Sequence, residues 1–345
     1  VRRKYQLNGT ELNRTADVGI IRKLYRDGLL SDEALIAASA VLRPISSWFS
    51  WARRMLLFFG SALVLAGIIF FFAYNWAAMG RFIKFGLIEA GIIGCIVASH
   101  LRERTRLSGK VLLLSGSVLV GVLLAVYGQT YQTGADAFEL FVGWAALILG
   151  WVIVSEFAAL WLVWLILLNT GAILYWHQVG HPAHSIRYEF LCLAVAVLNG
   201  AALALLEVGV RRGLEWLSGR WLRSILLAAS LVALSLPTIH LIVDFDSMEE
   251  VSAFAAFAWA IAAVGGYACY RFKLRDMVPL ALIVMNACVI LLTLIGKALF
   301  HNTRFDEGGL FLFFALIILG VVSGAAFWLR RTAATMANEM KESAE

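Results

Sequence analysis

The sequence predicts an all-α, polytopic transmembrane helix bundle of about ten spans with both termini on the cytoplasmic side. Three observations carry this expectation. Of the 345 residues, 61% are hydrophobic and 15% charged, with a mean hydropathy of +0.82, whereas soluble domains average about 45–50% apolar and about 25% charged. The apolar residues gather in unbroken runs of roughly the 20 residues that cross a hydrocarbon core of about 30 Å as helix. Basic residues cluster in the short stretches between those runs, concentrated on alternate sides.

Residues 1–54 differ in kind from the rest and read as a cytoplasmic segment of short helices ending in an interfacial one. A first amphipathic helix is expected around 17–26, with Ile20, Ile21 and Leu24 on one face. A second is expected over 31–42, where Ser31 can cap the amides and Asp32 and Glu33 favour the positive helix end. Pro44 lacks an amide hydrogen and breaks the chain there. Trp48, Phe49, Trp51, Arg53 and Arg54 then have the aromatic and basic makeup of a helix lying at the membrane surface. The segment reads either as an insertion guide or as a docking helix pair for another protein, and the docking reading is the better supported.

Residues 55–330 hold the bundle, with spans expected at 55–77, 82–101, 110–128, 137–154, 157–176, 188–209, 222–243, 250–270, 276–297 and 308–329. Each must be helical, because an unpaired backbone amide in lipid costs several kcal/mol and the runs are continuous rather than alternating. Residues 331–345 read as a cytoplasmic tail. Of the 29 Lys and Arg residues, twenty-four fall on the side of the two termini and five on the other. Basic residues accumulate in cytoplasmic loops, so this count sets both the orientation and the number of spans. The weakest point is Ser155-Glu156, where two spans nearly fuse and no basic residue votes. The net charge of +6 therefore belongs to membrane topology and not to nucleic-acid binding.

Three short motifs come in a telling order: Gly28-Leu29-Leu30-Ser31 before the membrane, Ala73-Tyr74-Asn75-Trp76 at the end of the first span, and Tyr127-Gly128-Gln129-Thr130-Tyr131 at the end of the third. Over about residues 15–175 they resemble the bacterial polytopic membrane-protein family known as domain of unknown function 2157. The resemblance implies a bacterial cytoplasmic (inner) membrane and genes for other membrane proteins nearby, as in a multi-subunit complex. It implies no known activity.

Candidate functional residues are few. Asn75 and Trp76, and Gln129, Thr130, Tyr131 and Gln132, end two spans on the outer side. There, amides and phenols can meet a polar ligand or serve as anchors at headgroup depth. Glu89 lies well inside the second span, five residues beyond Lys84, and a carboxylate in lipid needs a partner, a cavity or a proton. The candidate polar or ligand site is thus Glu89, Asn75, Trp76, Gln129 and Tyr131. Glu189 and Glu207 near span ends are expected to snorkel or pair with loops, and Asn169, Asn199 and Asn286 to bond between helices. His177, His181 and His184 invite a zinc or copper reading. Gly180 and Pro182 disrupt the helical spacing that would aim the first two together, so solvated loop histidines are favoured. The four cysteines form no CxxC, and the sequence shows no P-loop, dinucleotide fingerprint, nucleophile elbow or HExxH helix, so no metal and no cofactor are expected.

Small-residue faces at Gly86, Ala90 and Gly94, and at Ser117 and Gly121, allow close helix approach. The alanine- and glycine-rich eighth span is expected to lie centrally in the bundle or against a partner. The favoured function is a non-enzymatic subunit or scaffold of a cell-envelope complex, partnered by the bilayer and by other membrane proteins or a second copy. A transporter with two five-helix halves of opposite orientation is the alternative. A membrane enzyme acting on lipid-linked substrates, using Glu89, His240 and the outer histidines, comes third.

Overall fold

The computed structural model describes residues 24–42, 76–102, 107–182, 186–244, 250–300 and 307–342, with scattered positions (21, 48, 49, 51–53, 55, 56, 59, 60, 63, 67, 70 and 74) before them. The described residues form no strand. Two compact units divide the chain, Val1–Gly80 and Arg81–Glu345. Most of the expected helix at 17–26 and much of the first span lie outside the described residues.

In the first unit, helix α1 (Asp32–Leu42) begins where the capping residues place it. Ser31 Oγ accepts the Ala34 amide at 3.2 Å, and Tyr25 OH donates to Asp32 Oδ1 at 2.5 Å. The turn before it closes with Gly28 at φ +70° and the Leu29 amide on the Leu24 carbonyl at 2.9 Å. This left-handed position after a helical turn is one that glycine adopts without a Cβ penalty.

The second unit contains nine helices long and apolar enough to cross a membrane, counted among the described residues. These are α2 (Arg81–Leu101), α3 (Leu107–Tyr131), α4 (Ala137–Ser155), α5 (Ala158–Tyr175), α6 (Tyr188–Arg211), α7 (Arg220–Val243), α8 (Glu250–Ala268), α9 (Met277–Phe300) and α10 (Glu307–Glu342). Wide helical turns, Trp176–Gly180 and Cys269–Lys273, extend α5 and α8. The expected spans from the second to the tenth all appear, in order.

Helices α2 to α5 pack consecutively, each on the next. Ser99 Oγ donates to the Gly109 carbonyl at 2.7 Å between α2 and α3. Between α3 and α4, the Trp144 ring lies over Gly121, and its Nε1 donates to the Ser117 carbonyl at 2.7 Å. The near-fused turn resolves into two helices because Glu156 takes a left-handed conformation (φ 45°) and Lys110 Nζ donates to its carbonyl at 2.8 Å. Ile148, Val152 and Leu160 are fully buried in the core that follows.

The remaining helices gather around α7, which packs on α6, α8 and α9, while α10 packs on α9. Half of the membrane window of α7 is buried, against 17% for α8. The eighth helix is therefore peripheral to the unit and not at its centre, the first of the two placements expected from its small residues. Phe254, Phe257, Ile261 and Val264 line its exposed side, and only Ser252, Ala255 and Ala263 are buried. On α2 a Cβ on Gly86 or Gly94 would meet nothing within 4 Å, so that small face is not the one that meets α3; the close approaches to α3 occur at Gly91 and Gly116. The expected small face of α3 does receive a neighbour, at Ser117 and Gly121.

Helix α10 has 36 residues, about 54 Å at 1.5 Å per residue, which exceeds a core of about 30 Å. It continues through the expected boundary at 330 into the tail. Thr332 and Met336 are buried there, Met336 against Leu280 and Tyr270 among others. Arg271 holds Glu339 through both guanidinium nitrogens at 2.9 and 3.1 Å.

Candidate functional site

Of the residues the sequence singles out, Trp76 opens a single helical turn, Trp76–Ala78, in the first unit, and Asn75 lies outside the described residues. Gln129 and Tyr131 end α3 in the second unit, where Tyr131 stacks on Phe85 of α2 at 6.0 Å and lies 4.9 Å from the Tyr127 ring. Gln129 is exposed. Glu89 stands one turn further along α2 than Phe85, eight residues from the helix start and so about 12 Å along the helix. It is exposed and makes no hydrogen bond or ion pair with another described residue. Phe82, Gly86, Ala90, Ile93 and Val97 share its helical face and are exposed as well.

His177 lies exposed in the wide turn ending α5, and the His181 ring packs 5.1 Å from Trp176. His184 lies outside the described residues. Among those described, no group of three or more His, Cys, Asp or Glu is arranged to hold a metal. His240 is on α7, which packs on α6, α8 and α9, whereas Glu89 is on α2, which packs on α3.

The interior holds its polar groups in pairs. Asn169 and Asn199 exchange amide hydrogen bonds between α5 and α6 at 2.8 and 3.3 Å. Asn286 on α9 accepts from Trp259 Nε1 at 2.7 Å and donates to Ser235 Oγ at 2.8 Å, tying α8 and α7 together. All three asparagines thus bond between helices, as expected. Glu189 does not snorkel: it is buried and accepts from Ser252 Oγ of α8 at 3.4 Å.

Glu207 likewise turns into the bundle, into a cluster at the C-terminal end of α6 and the N-terminal ends of α7 and α9. Arg223 donates to both of its carboxylate oxygens, at 2.5 and 3.4 Å, and to Asp276 Oδ2 at 3.2 Å. Tyr270 OH donates to Glu207 at 3.4 Å, and Arg220 reaches Asp276 Oδ1 at 3.2 Å. Asp276 also accepts the Val278 amide, satisfying an orphan donor at the start of α9. Two guanidinium and two carboxylate groups make the cluster neutral, which is what permits its burial. No local pattern announces it in the sequence, because its members are 16 and 53 residues apart. The available signal was two acids, Glu207 and Asp276, on the side where basic residues dominate.

Beside this cluster lies an apolar groove of about 420 Å³ between α5, α6, α7 and the Glu215–Leu217 turn. Its lining runs from Leu198 and Leu165, next to the Asn169–Asn199 pair, to Leu214 and Trp216. Trp161 forms part of the wall, stacked on Trp216 at 6.2 Å. Its Nε1 is the one buried side-chain nitrogen or oxygen among the described residues without a hydrogen-bond partner. Such a donor left unsatisfied costs about 1–3 kcal/mol.

Residues 22–161 match the family model described as "Predicted membrane protein (DUF2157)". The match falls within the stretch where the sequence motifs show the resemblance. No curated protein and no solved structure matches the chain.

Proposed function

We propose, taking the family match over residues 22–161 as premise, that this membrane protein is a non-enzymatic subunit of a multi-protein complex in a bacterial inner membrane, with both termini cytoplasmic. The observation that supports this reading is the exposed Glu89 face of α2. A charged side chain at mid-helix in lipid costs about 2.5–3.5 kcal/mol on insertion scales and much more in simulation. Gly86, one turn before Glu89 on the same face, leaves room for a close helix backbone. A partner's membrane helix, from another protein or a second copy, covers this face and supplies a hydrogen-bond donor to Glu89.

The transporter alternative is less well supported. Halves repeated in opposite orientation would make α2 and α7 equivalent, yet 11% of the membrane window of α2 is buried against 50% for α7. One is an edge and the other a hub.

Purification in a mild detergent should recover a stoichiometric membrane partner or a defined oligomer. Gly86→Leu or Glu89→Leu should release it while leaving the chain folded. A solitary monomer from native membranes, or association indifferent to both substitutions, would sink the reading.

A further inference from the structure

We infer that the groove between α5, α6 and α7 is a binding site for one acyl chain of an anionic glycerophospholipid, with the headgroup at the Arg211 end. The groove follows α6 from Leu198 to Gly209, eleven residues or about 16 Å, which is about half of a hydrocarbon core of about 30 Å and so matches one leaflet. Ala201 and Leu205 on its rim are exposed, so a chain reaches it sideways from the bilayer.

One further feature selects the occupant. The loop that closes the groove at Leu214 and Trp216 also carries Arg211 and Arg212, both exposed, with Arg220 beyond them. Arg220 is engaged with Asp276, and Glu215 is the one acid of the loop, so Arg211 and Arg212 leave an excess of positive charge for a phosphate diester. The site is independent of the α2 face and stands whether or not that face seats a partner.

The test titrates the full-length protein in detergent micelles with phosphatidylglycerol or phosphatidylcholine of matched chains, counting retained lipids by native mass spectrometry. One phosphatidylglycerol should be retained about tenfold more tightly than phosphatidylcholine, and Arg211→Gln/Arg212→Gln should level the two. Ala201→Trp should fill the groove and abolish retention. Unchanged binding in Ala201→Trp, or equal retention of the two lipids by the unsubstituted protein, overturns the inference.

Discussion

Replacing Arg223 by methionine tests whether the buried cluster holds the hub of the bundle. The side chains of Arg223, Glu207 and Asp276 are 11%, 14% and 6% exposed, so water cannot take over from the guanidinium. Methionine keeps most of the apolar stem but leaves Glu207 with only the Tyr270 hydroxyl at 3.4 Å. Asp276 retains Arg220 and the Val278 amide, so the uncompensated charge falls on Glu207. Removing one partner of a buried pair destabilises by about 3–5 kcal/mol, mostly through the charge left behind. Reversible unfolding in mixed detergent micelles, followed by tryptophan fluorescence, measures this. The double variant Arg223→Met/Glu207→Met removes both charges and should be less destabilised than the sum of the singles by about 2 kcal/mol. Additive singles, or Arg223→Met within about 1 kcal/mol of the unsubstituted protein, would refute the reasoning.

Three further outcomes are expected. Gly121→Ala should destabilise by about 1–3 kcal/mol, because the new Cβ would sit 2.5 Å from the Trp144 ring, while Gly94→Ala, which meets nothing within 4 Å, should be neutral or stabilising in the same unfolding assay. Asn169→Ala/Asn199→Ala cycles should give a coupling of about 0.6–1.7 kcal/mol, the range of hydrogen bonds between membrane helices; zero coupling would place the amide pair outside the energetics. The Arg271 guanidinium holds the Glu339 carboxyl below its ordinary value of 4.5. A depressed carboxyl contributes stability that is present above the unfolded value and is lost as pH falls through the folded one. The stability difference between the unsubstituted protein and Glu339→Gln should therefore be constant near neutrality and shrink below about pH 4.5. A difference that grows with acid would reverse the assignment.

The sequence by itself determined the class, the helices and their order, because crossing lipid demands a continuous apolar run, and a run's length and flanking charges are local properties. The expected spans from 82–101 to 308–329 correspond to α2 through α10. Local chemistry also located the Ser31 cap and the interhelical asparagines. What tertiary structure decided is which face of each helix meets a neighbour. In a membrane both lipid and protein neighbours are apolar, so hydrophobic periodicity does not say which side is inside. For that reason the Gly86–Ala90–Gly94 face points away from α3 while Gly91 and Gly116 make the contact, and α8, the helix richest in small residues, lies at the edge. Glu207 and Glu189 look alike in sequence to any acid at a span end. Only the packing of α6 on α7 and α8 turned them inward.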